Sequence, residues 1–86
     1  MTAHFHVLAS GSSGNCSLLE IGGFGMLIDL GLGPRQLVQR FRGSPPLWDR
    51  VRLALLTHVH GDHWNENTLN QLVQRRIPLY LSLIHI

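Results

Sequence analysis

Three histidines and an aspartate fall within six residues, His58-Val-His60-Gly-Asp62-His63. Imidazole nitrogens and carboxylate oxygens are the donor set of borderline divalent cations such as zinc, manganese or iron. The apolar run Leu53-Ala-Leu-Leu that leads into them reads as a buried strand bounded by a turn signal. If that strand continues, His58 and His60, two apart, point the same way. Gly61 then lets the chain turn without steric penalty, so that Asp62 and His63 swing back toward the same point.

Other positions carry chemical capacity with less focus. Ser10-Gly-Ser-Ser-Gly-Asn15 is a small polar loop of the kind that exposes backbone N–H groups to an anion. It is not a phosphate-binding P-loop, for want of a lysine, and it contains no Gly-x-Ser-x-Gly nucleophile elbow. Read from composition alone, it is a plain hairpin loop. Met26-Leu-Ile-Asp29 ends an apolar strand in a carboxylate, which if buried must be paired or hydrogen-bonded; a turn-capping role is the simplest assignment. His4 and His6 share one face of a first strand and read as the polar side of an edge strand rather than as ligands. Cys16 has no flanking cation to activate its thiol and reads as a small buried filler.

The order His58-x-His60-x-Asp62-His63, after an apolar strand and before a helix, resembles the signature of the metallo-β-lactamase superfamily. Two further segments match in order, the Ser-Gly-Ser-Ser-Gly-Asn loop and the strand end Leu-Ile-Asp-x-Gly. The opening loop is similar to that of a bacterial branch containing DNA exonucleases and related phosphodiesterases. The resemblance covers nearly all of residues 4 to 81. It implies a two-metal hydrolase with two divalent cations, zinc or else manganese or iron. His58 and His60 would hold the first and Asp62 and His63 the second. Asp62 would also hold the nucleophilic water and manage its proton. Asp29 would orient those ligands from beneath, and Ser12, Ser13 and Asn15 would lie near the cleft as a substrate loop. The implied substrate is a phosphodiester, with nucleic acid as a candidate; a thioester or lactone hydrolase of the same fold, or a non-catalytic metal-binding module, is the alternative.

The elements that must position these residues follow from periodicity and punctuation. Strands are expected over residues 4–9, 17–21, 25–30, up to the histidine cluster, and 77–81, with Gly22-Gly23 as a hairpin turn. Gly33-Pro34 opens a helix, since proline suits the first helical position, with Leu37, Val38 and Phe41 as its apolar stripe. Gly43-Ser-Pro-Pro46 stops it. Asn65 caps a second helix running to about Arg76, with Leu69, Leu72 and Val73 inward. Trp48 is expected in the core, and Trp64 either lines a cleft or closes the core. The fold class is therefore α/β (α+β), a mixed sheet of about five strands with two helices. By the resemblance it is the N-terminal half of an αββα sandwich.

Length and composition bound the rest. The chain has 86 residues, a net charge of +2, and 44% hydrophobic residues. Only 14% are charged, against roughly 25% in a typical globular domain, which argues against disorder. The seven basic residues are all arginine and are scattered from Arg35 to Arg76, so no nucleic-acid-binding block is visible. A single cysteine excludes an internal disulfide framework and suits a reducing compartment. With no basic-then-apolar leader and no apolar run of roughly 20 residues, a cytoplasmic location with no membrane partner is expected. The superfamily's later ligands have no counterpart here, so residues 1–86 are expected to form a partial domain with a bare inner sheet face and little turnover. The closing Ser82-Leu-Ile-His-Ile86 resembles the translated adapter ends of truncated reading frames, which implies that residues 82–86 are not native.

Overall fold

The computed structural model describes residues 2–11, 14–43, 45–57 and 64–81. Strands β1 (Ala3–Ala9), β2 (Cys16–Ile21) and β3 (Phe24–Ile28) form an antiparallel meander. Gly22 and Gly23 join β2 to β3 with φ of 52° and 83°, the two successive positive values that a two-residue hairpin of matching twist requires. From β3 the chain passes through helices α1 (Pro34–Arg40) and α2 (Leu47–Arg50) into β4 (Val51–Leu56). It then passes through α3 (Glu66–Gln74) into β5 (Leu79–Leu81). β4 is parallel to β3 and β5 is parallel to β4, so the sheet order is simply β1-β2-β3-β4-β5.

Parallel neighbours need crossovers, which the helices supply. Crossovers are right-handed as a rule, and two that step the same way across a sheet deliver their helices to one face. That face is the core: Leu18, Leu27 and Ala54 lie buried beneath Leu37, Phe41, Leu47 and Leu72. The strands alternate sides residue by residue, and their register aligns the opposite set. Phe5, Val7, Ile21, Phe24 and Tyr80 are exposed there, with Leu19, Met26, Ile28, Leu53 and Leu55 half-buried between them. Among the described residues nothing covers this second apolar face.

Several expectations need correcting. Helix α2 is an additional, single-turn helix, so the described residues contain three helices rather than two. α3 ends at Gln74, slightly short of Arg76. Val73 is 75% exposed, and Val38 is also outward; each sits about 100° around its helix from a buried leucine, Leu72 or Leu37. In such short helices the narrow stripe that meets the sheet admits only one of the pair. β1 is the edge strand, but its histidine face looks toward the helix layer and leaves His6 half-buried, whereas Phe5 and Val7 face outward.

Three local features fix the frame. Pro34 occupies the first turn of α1, and the Gly33 N–H donates to Gln36 Oε1 at 3.3 Å. Asn65 caps α3, its Oδ1 accepting from Asn67 N at 3.0 Å and Thr68 N at 3.3 Å. At the foot of the parallel pair, a Cβ on Gly25 would run into the Arg50 carbonyl, so only glycine allows β3 and β4 to meet with that register shift.

Candidate functional site

The parallel strands β3, β4 and β5 end at one edge of the sheet, and the segment joining β1 to β2 emerges at the same edge. In open sheets with parallel strands, this carboxyl edge is where ligand-binding segments collect. Here it is stitched together by residues from three segments. The Asn15 carbonyl accepts from Gly31 N at 2.8 Å. Gly14 (φ 155°) lies so close that an added Cβ would stand 2.9 Å from the Gly31 carbonyl oxygen. Asn15 also clamps its own loop, its Oδ1 accepting from Gly11 N at 3.2 Å and its Nδ2 donating to Gly11 O at 3.0 Å. Of the substrate-loop candidates, Asn15 is thus placed at this edge. Ser12 and Ser13 lie outside the described residues.

Asp29 is the centre of the edge. It follows β3 directly, is 8% exposed, and has φ 62°, a left-handed conformation that a short polar side chain tolerates better than most. Its N–H donates to the Leu55 carbonyl at 2.8 Å. Its Oδ1 accepts from Thr57 N at 2.8 Å, and the Thr57 hydroxyl lies 2.9 Å and 2.8 Å from Oδ1 and Oδ2. The buried carboxylate is therefore satisfied, as its burial demands. The chain leaves the sheet at Thr57, held by Asp29, and returns at Trp64, which makes a parallel bridge to Leu30. The residues on either side of the His-x-His-x-Asp-His segment, Thr57 and Trp64, are thus fastened to two successive residues, Asp29 and Leu30. The segment itself, with His58, His60, Asp62 and His63, lies outside the described residues.

Thr57 and Gly31 were not visible as site residues in the sequence. Their roles depend on strand register, although the hydroxyl immediately before the histidine motif was a signal that could have been read. Thr68 is similar: fully buried, it donates its hydroxyl to the Leu32 carbonyl at 2.6 Å and so ties α3 to the segment after Asp29.

Among the described residues no group of three or more histidine, cysteine, aspartate or glutamate side chains could hold a metal ion. Three imidazoles and a carboxylate in six residues fit a borderline divalent cation, and Asp29 gives the first anchor of that segment a fixed position. Cys16 is not a competing nucleophile. Burial first, and the nearby Asp29 charge second, push its thiol up to about 12, so it is protonated and inert near neutrality.

An apolar pocket of about 400 Å³ flanks the same edge, lined by Leu56, Trp64, Leu69, Leu79 and Leu81. Trp64, 39% exposed, lines this cleft rather than closing the core. Trp48 packs against the core with the Arg75 guanidinium 5.0 Å above its ring. No helix among the described residues is long and apolar enough to cross a membrane.

Comparison with known proteins agrees with this architecture. Residues 9–69 match the family described as the metallo-beta-lactamase superfamily. A Bacillus anthracis protein named Exodeoxyribonuclease YycJ is 36% identical over 63 residues, which is 73% of this chain and 24% of that protein. The chain thus spans about a quarter of the length of that relative. The matched region runs from the end of β1 to the middle of α3 and takes in the glycine-serine loop, Asp29, Thr57 and the whole histidine motif, so the chain belongs to the metallo-beta-lactamase superfamily.

Proposed function

We propose that this chain is the N-terminal part of a metal-dependent hydrolase that cleaves phosphodiesters, with nucleic acid as the substrate class. The observation that carries the reading is the fastening of Thr57 to Asp29 and of Trp64 to Leu30, the two residues that flank positions 58–63, at the edge where Asn15 is also anchored to Gly31. The name of the Bacillus anthracis relative supports a polynucleotide as substrate.

In this reading His58, His60, Asp62 and His63 would hold two divalent cations, zinc or else manganese or iron. The cations would supply Lewis acidity and lower the pKa of water to roughly 7. Asp62 would hold the attacking water and accept its proton. Asp29 acts through Thr57, fixing the point from which the ligand segment starts; carboxylates placed behind ligands in this way set their orientation. The glycine-serine loop, anchored at this edge through Asn15, would lie beside the anionic ester.

The apolar pocket beside Trp64 favours a second reading, hydrolysis of a thioester or lactone whose acyl part enters that pocket. The two readings share the metal ligands and differ in substrate. The test is metal analysis of the purified full-length protein together with turnover of bis-p-nitrophenyl phosphate, DNA, a glutathione thioester and a lactone. The first reading expects metal bound in a two-to-one ratio and phosphodiester cleavage abolished by His58→Ala/His60→Ala. Cleavage of the thioester or lactone alone would install the second reading. Stoichiometric metal without turnover of any of the four would leave a non-catalytic metal-binding module.

A further inference from the structure

Away from that edge, the structure holds a second polar site. Arg40, Arg42, Arg50 and His6 line one open cavity of about 370 Å³ on the helix-bearing side of β1. Each guanidinium there is held by a backbone carbonyl. Arg40 Nη1 donates to Leu8 O at 3.1 Å, Arg42 Nε to Gln39 O at 3.4 Å, and Arg50 Nε to Pro45 O at 2.7 Å. The Phe41 ring lies between them, 4.9 Å below the Arg50 guanidinium and edge-on to His6 at 5.2 Å. Gly43 lets the chain lie against that ring, because a Cβ there would run into it.

Glu20 is the carboxylate that β2 brings to the cluster. Both its oxygens accept from Arg50 Nη1 at 2.9 Å, and Oε1 lies 3.2 Å from His6 Nε2. It matches one arginine, and among the described residues no carboxylate forms an ion pair with Arg40 or Arg42, whose charges are in excess there. Like charges gathered in one cavity repel, and exposed arginines ordinarily spread into solvent. Three of the chain's seven arginines drawn together here, from positions as far apart as 40 and 50, make a site whose missing complement is an anion. A guanidinium matches the oxygens of a phosphate or a carboxylate.

The cavity also offers flat rings beside the charge. His4 and His6 stack along β1 with centroids 6.3 Å apart and planes 24° apart, and His4 is exposed. Rings next to a basic groove are the combination by which proteins hold single-stranded nucleic acid without reading its sequence, whereas an acidic peptide needs the charge alone. β1 runs directly from this cavity into the 10–15 loop. The four steps from His6 to Ser10 cover roughly 13 Å at about 3.3 Å each. A polymer several nucleotides long can engage both places, and a small ester cannot.

We propose that the Arg40–Arg42–Arg50 cavity is a phosphate-backbone site that grips single-stranded nucleic acid apart from the metal motif. This rests on the phosphodiesterase reading for its purpose, though not for its test, which needs neither metal nor turnover. The experiment is fluorescence anisotropy of a labelled single-stranded 12-mer DNA with the full chain in EDTA, titrated across salt concentrations. Three proteins are compared after size-exclusion chromatography: the parent chain, Arg40→Gln/Arg42→Gln, and the charge-matched control Arg52→Gln/Arg76→Gln.

Two lost phosphate contacts should lower the slope of log K against log salt by about 1.4 and weaken binding at 0.1 M salt about 25-fold. The control should stay within about twofold to threefold of the parent, as expected when only distant charge is removed. Equal losses in both variants would show generic charge attraction and overturn the site, as would no DNA binding by the parent chain. Displacement of DNA by polyglutamate at equal charge concentration would reassign the cavity to acidic peptides. Failure to hydrolyse both bis-p-nitrophenyl phosphate and DNA would remove the phosphodiesterase reading while leaving a positive binding result in place.

Discussion

The Asp29 carboxylate grips Thr57 through both the backbone and the hydroxyl, with all three contacts between 2.8 and 2.9 Å. A residue at the end of β3 thereby sets where β4 releases the chain into the histidine motif. Replacing Asp29 with alanine leaves the Thr57 donors without this acceptor in a part-buried place, which costs roughly 1–3 kcal/mol. Asp29→Asn keeps an acceptor oxygen and is expected to lose less. Urea unfolding of the two variants measures the difference. On the proposed function, Asp29→Ala also weakens metal affinity by roughly 10- to 100-fold, read by competition with a chromogenic chelator. Equal metal affinity in parent and variant would confine Asp29 to stability alone.

Gly25 permits the close approach of β3 to the Arg50 carbonyl. Gly25→Ala forces a methyl group against backbone that cannot move aside as a side chain would. We expect a loss of about 1–3 kcal/mol, the usual cost of overpacking. Gly22→Ala is a useful contrast. It meets no atom, yet it is strained because φ is 52°, so its cost is expected near 1 kcal/mol. Chemical denaturation that ranks Gly22→Ala as the more damaging of the two would contradict the packing argument.

Cys16 gives a pH dependence of known sign. Its thiol, ordinarily titrating near 9.0, is pushed up to about 12 by burial in the fold. Between those values the unfolded chain releases a proton that the native chain keeps. Stability from this group is therefore complete below about pH 9 and falls as pH rises toward 12. Labelling by a thiol reagent at about pH 8 should be slower than that of an exposed thiol by the fraction of molecules that are open, and denaturant should speed it. Cys16→Ser should remove this alkaline component and lower stability near neutral pH, because a hydroxyl replaces a well-packed sulfur.

The uncovered sheet face makes a prediction about association. Phe5, Val7 and Tyr80 project from it with 59%, 60% and 58% exposure, and contiguous apolar patches of this kind drive self-association. β1 adds an edge strand, a further route to pairing. Static light scattering of the 86-residue chain should show a mass that rises with concentration, and Val7→Lys/Tyr80→Lys should bring it toward the monomer. A monomeric parent chain at high micromolar concentration would show that this face does not stick to itself.

Much of this architecture is legible in the residues alone. Gly22-Gly23 turns where a paired positive φ is needed, Gly33-Pro34 opens a helix and Asn65 caps one, because these residues act through their own backbone and nearest neighbours. The histidine motif leads the sequence to expect metal chemistry by donor type and spacing alone. Tertiary structure decided what depends on register between distant segments. It put the Thr57 hydroxyl on Asp29, set Asn15 against Gly31, turned Val73 out while Leu72 turned in, and gathered Arg40, Arg42 and Arg50 around Phe41. Along the chain those arginines are only scattered charge. A crossover in three dimensions, rather than a linear pattern, makes residues ten positions apart share one cavity, and local propensity carries no information about that.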